Sequence, residues 1–326
     1  MTSVQTLHVT DPIPRVLEHY ERELRDTLER IGIPHESAPV PAIEGLGAVG
    51  KVTTIVRTLA RARSMLAARE PVLQLWPSFG LLDALTWRST NATAGVIFHD
   101  PTPIRDQFGY GTLPRWIVGA VSRRNAPIIV SHSRDASIEL HDLFPRYSHV
   151  RVAHPVLSQQ AVRPPRRGRP TVLVAGQYKP ERHLDLLAVL GPQLSALGFA
   201  PRIVGRGWPR ESLPGWDIHN SFVPDGELAA EIAAAALVLI PYRRFFQSGI
   251  LLRAIESSVP VIAPDCSFVR DVLGPSSPWI VRTDDARAWS KAAIHAADDP
   301  SPVTVSFERY REKCDLSWHA LWTAMQ

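Results

Sequence analysis

The chain has 326 residues, 45% of them apolar and 21% charged, with a formal charge of +4. That length exceeds what one hydrophobic core supports, so two soluble globular domains are expected. The two cysteines, Cys266 and Cys314, are too few for a disulfide framework and lack metal-ligand spacing, which fits a reducing cytoplasm, while the apolar run 232–240 is far short of the ~18 residues a membrane span needs.

The opening MTSVQTLHVTD has no cationic start ahead of an apolar core, so no secretory leader is expected. Residues 6–10 read as a β-branched strand. The helix predicted over 16–31 places Val16, Tyr20, Leu24, Thr27, Leu28 and Ile31 on one face. Next comes Gly45-Leu-Gly-Ala-Val-Gly50-Lys51, which approaches a phosphate-binding P-loop. Val52 stands where that loop needs a hydroxyl for magnesium, which argues against an ATPase. The following helix, 51–69, carries Lys51, Arg57, Arg61, Arg63 and Arg69 beside Val52, Ile55, Val56, Leu59 and Leu66. Such a helix is either a solvated surface element or a contact for anionic lipid.

Strands are expected at 72–75, 94–98, 128–131 and 150–153, with helices near 113–123 and 135–144. His99, His132 and His154 each close a strand, without zinc-ligand spacing. The alternation implies parallel β/α layering. The densest basic run, Arg163-Pro-Pro-Arg-Arg-Gly-Arg-Pro170, contains no aromatic residue. It therefore reads as a connector and not as a nucleic-acid surface.

Alternation then restarts. Strands are predicted at 171–175, 201–204, 219–222, 237–241 and 260–263, with helices at 184–197 and 225–235 and one beginning at Ser248. Two doubly wound α/β domains should result, with ligands beyond the carboxyl ends of their strands and the domains facing across a cleft. Lys179 and Arg182 stand in a strand-to-helix turn that begins at Gly176, where they could neutralise an anion or pair with Glu181 or Asp185. Ser248 and Gly249 open a helix, and a helix start of cap serine and bare-backbone glycine suits a phosphate as well as it suits capping alone.

Taken in order, Gly176-Gln-Tyr-Lys-Pro-Glu-Arg182, Val204-Gly205-Arg-Gly207, Ser221-Phe222-Val223-Pro224-Asp225, Ser248-Gly249 and Pro260-Val-Ile-Ala263 resemble the donor half of a GT-B glycosyltransferase of the family 4 type. The resemblance continues through His8-Val9-Thr10-Asp11, His99-Asp100-Pro101 and Ser131-His132-Ser133. It ends at Leu316-Ser317-Trp318, which is like that family's final helix returning to the N-terminal domain. It implies an N-terminal acceptor-side Rossmann-like domain of residues 1–160 joined by a C-terminal helix, 306–326, and a nucleotide-sugar domain of residues 161–305.

The resemblance further implies a retaining, metal-independent hexosyl transfer from a nucleotide diphosphate sugar to a glycan, lipid-linked or small-molecule acceptor. No cofactor and no nucleic-acid partner are expected, and the location is cytoplasmic or peripheral at the inner face of a membrane. By position, Arg182 matches the family's phosphate-contacting cation and Lys179 a second one, with His99 lining the sugar site. Gly176, Gly205, Phe222, Val223, Gln247, Ser248, Gly249 and Ile250 would complete the donor site. Phe245 and Arg253 stand where the family usually has two glutamates, and Asp11-Pro12-Ile13-Pro14 replaces a glycine loop. Both departures mark a divergent enzyme or a non-catalytic GT-B subunit.

Overall fold

The computed structural model describes residues 5–11, 18–38, 47–89, 91–103, 107–120, 124–158, 168–281 and 285–326. The replaced glycine loop after Asp11, the helix start at Val16, Gly45, the 160/161 boundary and residues 163–167 of the basic connector lie outside the described residues. The chain divides into two compact units, Met1–Pro155 with Lys313–Gln326, and Val156–Glu312.

Unit 1 runs β1 (Leu7–Thr10), α1 (Glu18–Arg30), β2 (His35–Ser37), α2 (Ala48–Ala67), β3 (Val72–Gln74), a single 3-10 turn, α3 (Asp83–Thr86), β4 (Ala94–Ile97), α4 (Thr112–Ala120), β5 (Ile128–Ser131), α5 (Arg134–Leu143) and β6 (His149–Arg151). Its six strands form one sheet in the order β2-β1-β3-β4-β5-β6, and every pairing is parallel. The chain winds left from β1 to β2 and then steadily right. Right-handed crossovers therefore put α1 on one face and α2 to α5 on the other. A single core confirms that second layer, with Leu59, Ala62 and Leu66 of α2 packed among Trp87, Val118, Leu140 and Phe144.

Unit 2 runs β7 (Thr171–Ala175), α6 (Leu184–Ala196), β8 (Ala200–Val204), β9 (Asp217–His219), α7 (Asp225–Ala234), β10 (Leu237–Leu239), α8 (Gly249–Glu256), β11 (Val261–Pro264), α9 (Ser267–Leu273), β12 (Ile280–Val281), α10 (Ala286–Asp298) and the start of α11 (Pro302–Met325). Its parallel sheet has the order β12-β11-β10-β7-β8-β9. The strand expected at 219–222 lies earlier. Ile218 pairs in register with Ile203 and Asp217 bonds Arg202, whereas Asn220 leaves the ladder to bind the backbone N–H and C=O of Trp208. Ser221 and Phe222 then run into solvent.

The last part of α11 belongs to unit 1. Trp318 Nε1–H donates to Ala153 O at 3.0 Å and Ser317 Oγ accepts the Ala153 N–H at 2.9 Å, so the helix satisfies both backbone groups of the residue just past β6. Arg30 at the end of α1 grips Asp315 through Nε and Nη2, at 2.7 Å for the latter. Trp318→Phe keeps the ring but strands a buried carbonyl, a loss of about 1–3 kcal/mol. Urea unfolding should show a lower midpoint with an unchanged slope; an unaltered midpoint would mean that the hydrogen bond contributes nothing.

Candidate functional site

In unit 2 the turns leaving β7 and β8 meet backbone to backbone. Gly205, at φ 145°, approaches so closely that a Cβ would overlap the carbonyl of Gly176, which itself has φ 95°. Both positions require glycine. The contact is pinned by Gly176 N–H to Val204 O at 2.9 Å, Tyr178 N–H to Arg206 O at 3.0 Å and Trp208 Nε1–H to Gly176 O at 2.9 Å.

Arg182 closes the first turn, its N–H donating to Lys179 O at 2.9 Å, and its side chain folds back beneath the turn. It is only 2% exposed. One terminal nitrogen, Nη2, donates to Ala175 O at 2.7 Å, and the guanidinium lies 4.0 Å from the centre of the Tyr242 ring and 5.3 Å from that of Trp208. Neither Nε nor Nη1 has an acceptor among the described residues. Burial pulls the arginine's pKa down, with Tyr242 opposing, yet a guanidinium stays protonated. Cation–π contact of about 2 kcal/mol offsets only part of a desolvation penalty of several kcal/mol. An edge of this kind could take the acceptor oxygens of an anion.

Gly176 lies between the bonded Nη2 of that guanidinium and the first turn of α8. A Cβ there would stand 3.3 Å from Arg182 Nη2 and 3.8 Å from Ile250 Cγ1. Ser248 is a true cap, its Oγ accepting the Leu251 N–H at 3.3 Å. That leaves the amides of Gly249 and Ile250 as the first-turn donors without helical acceptors. Gly249 has open space around its Cα, and Gln247 is half-buried beside it. Lys179 is exposed on the turn, and Asp185 pairs with Arg243 at 2.6 Å. Among the described residues neither Lys179 nor Arg182 forms an ion pair.

Phe222 projects 72% exposed from the loop after β9, with Val223 half-buried behind it. Arg253, one helical turn beyond Gly249, binds Asp225 at 2.5 Å. Phe245 packs against Tyr242 and Phe268, with ring centres 5.5 and 6.4 Å away. The sequence reading did not foresee Trp208 and Tyr242 as walls of the Arg182 site. An aromatic residue at the end of each flanking segment was the available signal.

In unit 1 the carboxyl ends of four strands bring together side chains far apart in sequence. His99 is buried, donates Nε2–H to Leu75 O at 2.9 Å, and lies between Trp76, stacked at 5.3 Å, and the edge of Tyr20 at 4.7 Å. Tyr20 also bonds His132 Nε2 at 3.0 Å and sits 4.8 Å from His154. The three imidazoles and one phenol form a single buried cluster, which the 3.6-residue periodicity of α1 alone does not reveal. Glu23, buried one turn along α1 from His19, lies 2.8 Å from that histidine and 3.7 Å from His154.

Two α/β units of this parallel topology, joined by a helix that begins in one and ends in the other, constitute a GT-B fold. The chain is similar to the sucrose-phosphate synthase of Thermosynechococcus elongatus, with TM-score 0.65, 15% identity, and 98% of this chain and 97% of that one covered. It is likewise similar to an α,α-trehalose-phosphate synthase (UDP-forming) from Burkholderia xenovorans, with TM-score 0.66, 9% identity, and coverage of 99% and 100%. Against TarM the TM-score is 0.60 at 11% identity over 83% of this chain, which spans only 60% of TarM. At these identities the likeness is one of fold. No protein-family model and no curated protein matches the chain.

The cluster in unit 1 carries a pH signature. Burial holds His132 well below the ordinary imidazole range and His154 at about 3, while it raises Asp83 to about 6. Below pH ~6.5 the unfolded chain takes up imidazole protons that the folded one refuses, so stability falls with pH by up to about 1.4 kcal/mol per unit per histidine. Asp83 acts oppositely below about 6 and offsets one of the two. Denaturant midpoints between pH 7 and 4 should therefore decline, and His154→Gln should flatten the slope. An unchanged slope in that variant would mean that His154 titrates normally.

Proposed function

We propose that the protein is a glycosyltransferase that moves a sugar from a nucleoside diphosphate sugar to an acceptor hydroxyl. The observation that carries this reading is the buried guanidinium of Arg182, of which two nitrogens have no acceptor among the described residues, in a turn where Gly176 stands close to both Arg182 and Ile250 of α8. A diphosphate supplies the missing acceptors on both sides: one phosphate to Nε and Nη1, and a neighbouring oxygen to the amides of Gly249 and Ile250. The UDP-forming synthase and the Staphylococcus aureus TarM complex with UDP support a nucleoside diphosphate as the ligand. Phe222 and Val223 then offer a stacking surface for the base, and Lys179 a screening cation at the mouth.

In this mechanism the bond from the anomeric carbon to the β-phosphate oxygen breaks and its electron pair stays on the diphosphate. Arg182 and the α8 amides stabilise that charge more as it grows than in the ground state. The acceptor oxygen attacks the same face, its proton passing to the departing phosphate oxygen, so the configuration is retained. His99, with Nε2–H committed to Leu75 O, is held in one tautomer. Arg182 and Lys179 supply the countercharge that a divalent cation would otherwise bring, and transfer is expected to persist in chelator. Loss of transfer in chelator with recovery on magnesium would overturn metal independence.

A second reading is favoured by Phe245 and Arg253, which stand where two donor-binding glutamates are usual in the resembled family, Arg253 being a cation paired with Asp225. The same phosphate site would then serve a binding or assembly subunit. Release of nucleoside diphosphate from donor, with and without candidate acceptors, separates the two.

Arg182→Ala should raise the dissociation constant for a nucleoside diphosphate by about 10- to 150-fold, the equivalent of 1.5–3 kcal/mol. Because Arg182 is buried, Gly249→Val provides an independent check. A Cβ at that exposed position meets nothing within 4 Å, so the fold should survive while phosphate approach is blocked. Ser248→Ala should instead lower stability by ~1 kcal/mol and cost less affinity. Full nucleotide affinity by calorimetry in folded Gly249→Val would place the phosphates elsewhere.

A further inference from the structure

We infer that the outward face of the first halves of α2 and α4 in unit 1 docks on an anionic lipid bilayer. The sequence pattern groups Val52 and Val56 with Leu59 and Leu66 as one apolar face, and the structure separates them. Leu59, Ala62 and Leu66 enter the core, whereas Val49, Val52 and Val56, spaced i, i+3 and i+7, form a stripe facing solvent. On α4, Val118 is the core residue and Leu113 and Trp116 face out, as does Phe108 in the turn before the helix. These six side chains are between 49% and 81% exposed. Scattered single apolar residues need no explanation, but a valine stripe and a Phe-Leu-Trp group in one layer do.

Placement unites the two groups. Both helices follow strands of the same parallel sheet and pack on the same core, so they belong to one layer and each begins at the carboxyl end of the strand before it. Ile55 and Tyr110, close in sequence to the exposed groups, are half-buried against that shared core.

Charge selects the occupant. Residues 47–69 contain Lys51, Arg57, Arg61, Arg63 and Arg69 and no acidic residue; residues 107–134 contain Arg115, Arg123, Arg124 and Arg134 and again none. Arg57, Arg61 and Arg115 are exposed. A second copy of the chain would set the exposed Arg57, Arg61 and Arg115 against their own counterparts. A bilayer suits both halves of the chemistry. Its acyl boundary takes valine, leucine, phenylalanine and the tryptophan ring, while guanidinium groups reach anionic headgroups. The surface belongs to unit 1 and does not rest on the catalytic reading.

The test is co-sedimentation of the full chain with vesicles of phosphatidylcholine alone and of phosphatidylcholine mixed with phosphatidylglycerol. Binding should require the anionic lipid and weaken as salt rises. It should fall at least about 10-fold in Phe108→Ser/Trp116→Ser and in Arg57→Glu/Arg61→Glu. All four side chains are exposed, so circular dichroism and nucleoside diphosphate affinity should not change, which separates failure here from failure of the donor site. Absence of vesicle binding, equal binding to both vesicles, or wild-type binding by both variants would overturn the inference. So would a dimer in solution that Trp116→Ser dissolves, because the patch would then belong to a second copy.

Discussion

The contact on which unit 2 depends is the crossing of two backbones at Gly176 and Gly205. Parallel neighbours β7 and β8 end side by side, and their outgoing turns are so close that Gly205 cannot carry a side chain at the crossing, while Gly176 is required by its positive φ. Everything nearby takes its position from that contact. Trp208 bonds the Gly176 carbonyl, the turn beyond Gly176 carries Lys179 and Arg182, and the absence of a Cβ at Gly176 opens the passage between the guanidinium and Ile250. Backbone geometry thus determines where a positive charge can be buried.

Burying that charge without a carboxylate is costly for the fold and useful for a ligand site. A protein carboxylate in contact with Arg182 would stabilise the unliganded state and compete with any anion. Aromatic faces hold the guanidinium without competing, because a ring quadrupole attracts the cation while leaving its in-plane N–H groups directed outward. Arg202 shows the alternative. It is held by both Asp217 and Glu231, which raise its pKa, and it has the character of a structural tie across a sheet edge. The two arginines differ in partner chemistry more than in position.

Much of the architecture was legible because its signals are local. The run 171–175, the cap at Ser248 and the alternation of strand and helix patterns all act within a few residues. The edge strand β2 escaped because three largely exposed residues, His35–Ser37, show no apolar alternation. Helix α10 was passed over although Asp285 caps it and Trp289, Ala292, Ala293 and Ala296 line its buried face. The unit 1 cluster was legible only in part. Strand-terminal histidines can be seen in sequence, but Tyr20 among them depends on how α1 crosses the sheet, and the outward turn of Val52 and Val56 depends on which neighbours bury α2. The ion pair of Arg253 with Asp225 likewise joins residues on two helices, and no spacing rule connects them.

The ending of α11 in unit 1 has a consequence for the order of assembly. The residues that satisfy Ala153 and grip Arg30 are Ser317, Trp318 and Asp315, which leave the ribosome only after all of unit 2. Unit 1 is therefore synthesised first and completed last. Until α11 arrives, Arg30 and Thr27 await partners 285 and 287 residues downstream, and the backbone of Ala153 awaits partners 164 and 165 residues downstream. Closure across such a sequence separation is slow compared with local helix and hairpin formation. The nascent chain must hold its first sheet in a near-native but open form while a complete second domain folds behind it, a state in which unsatisfied backbone invites chaperones or aggregation.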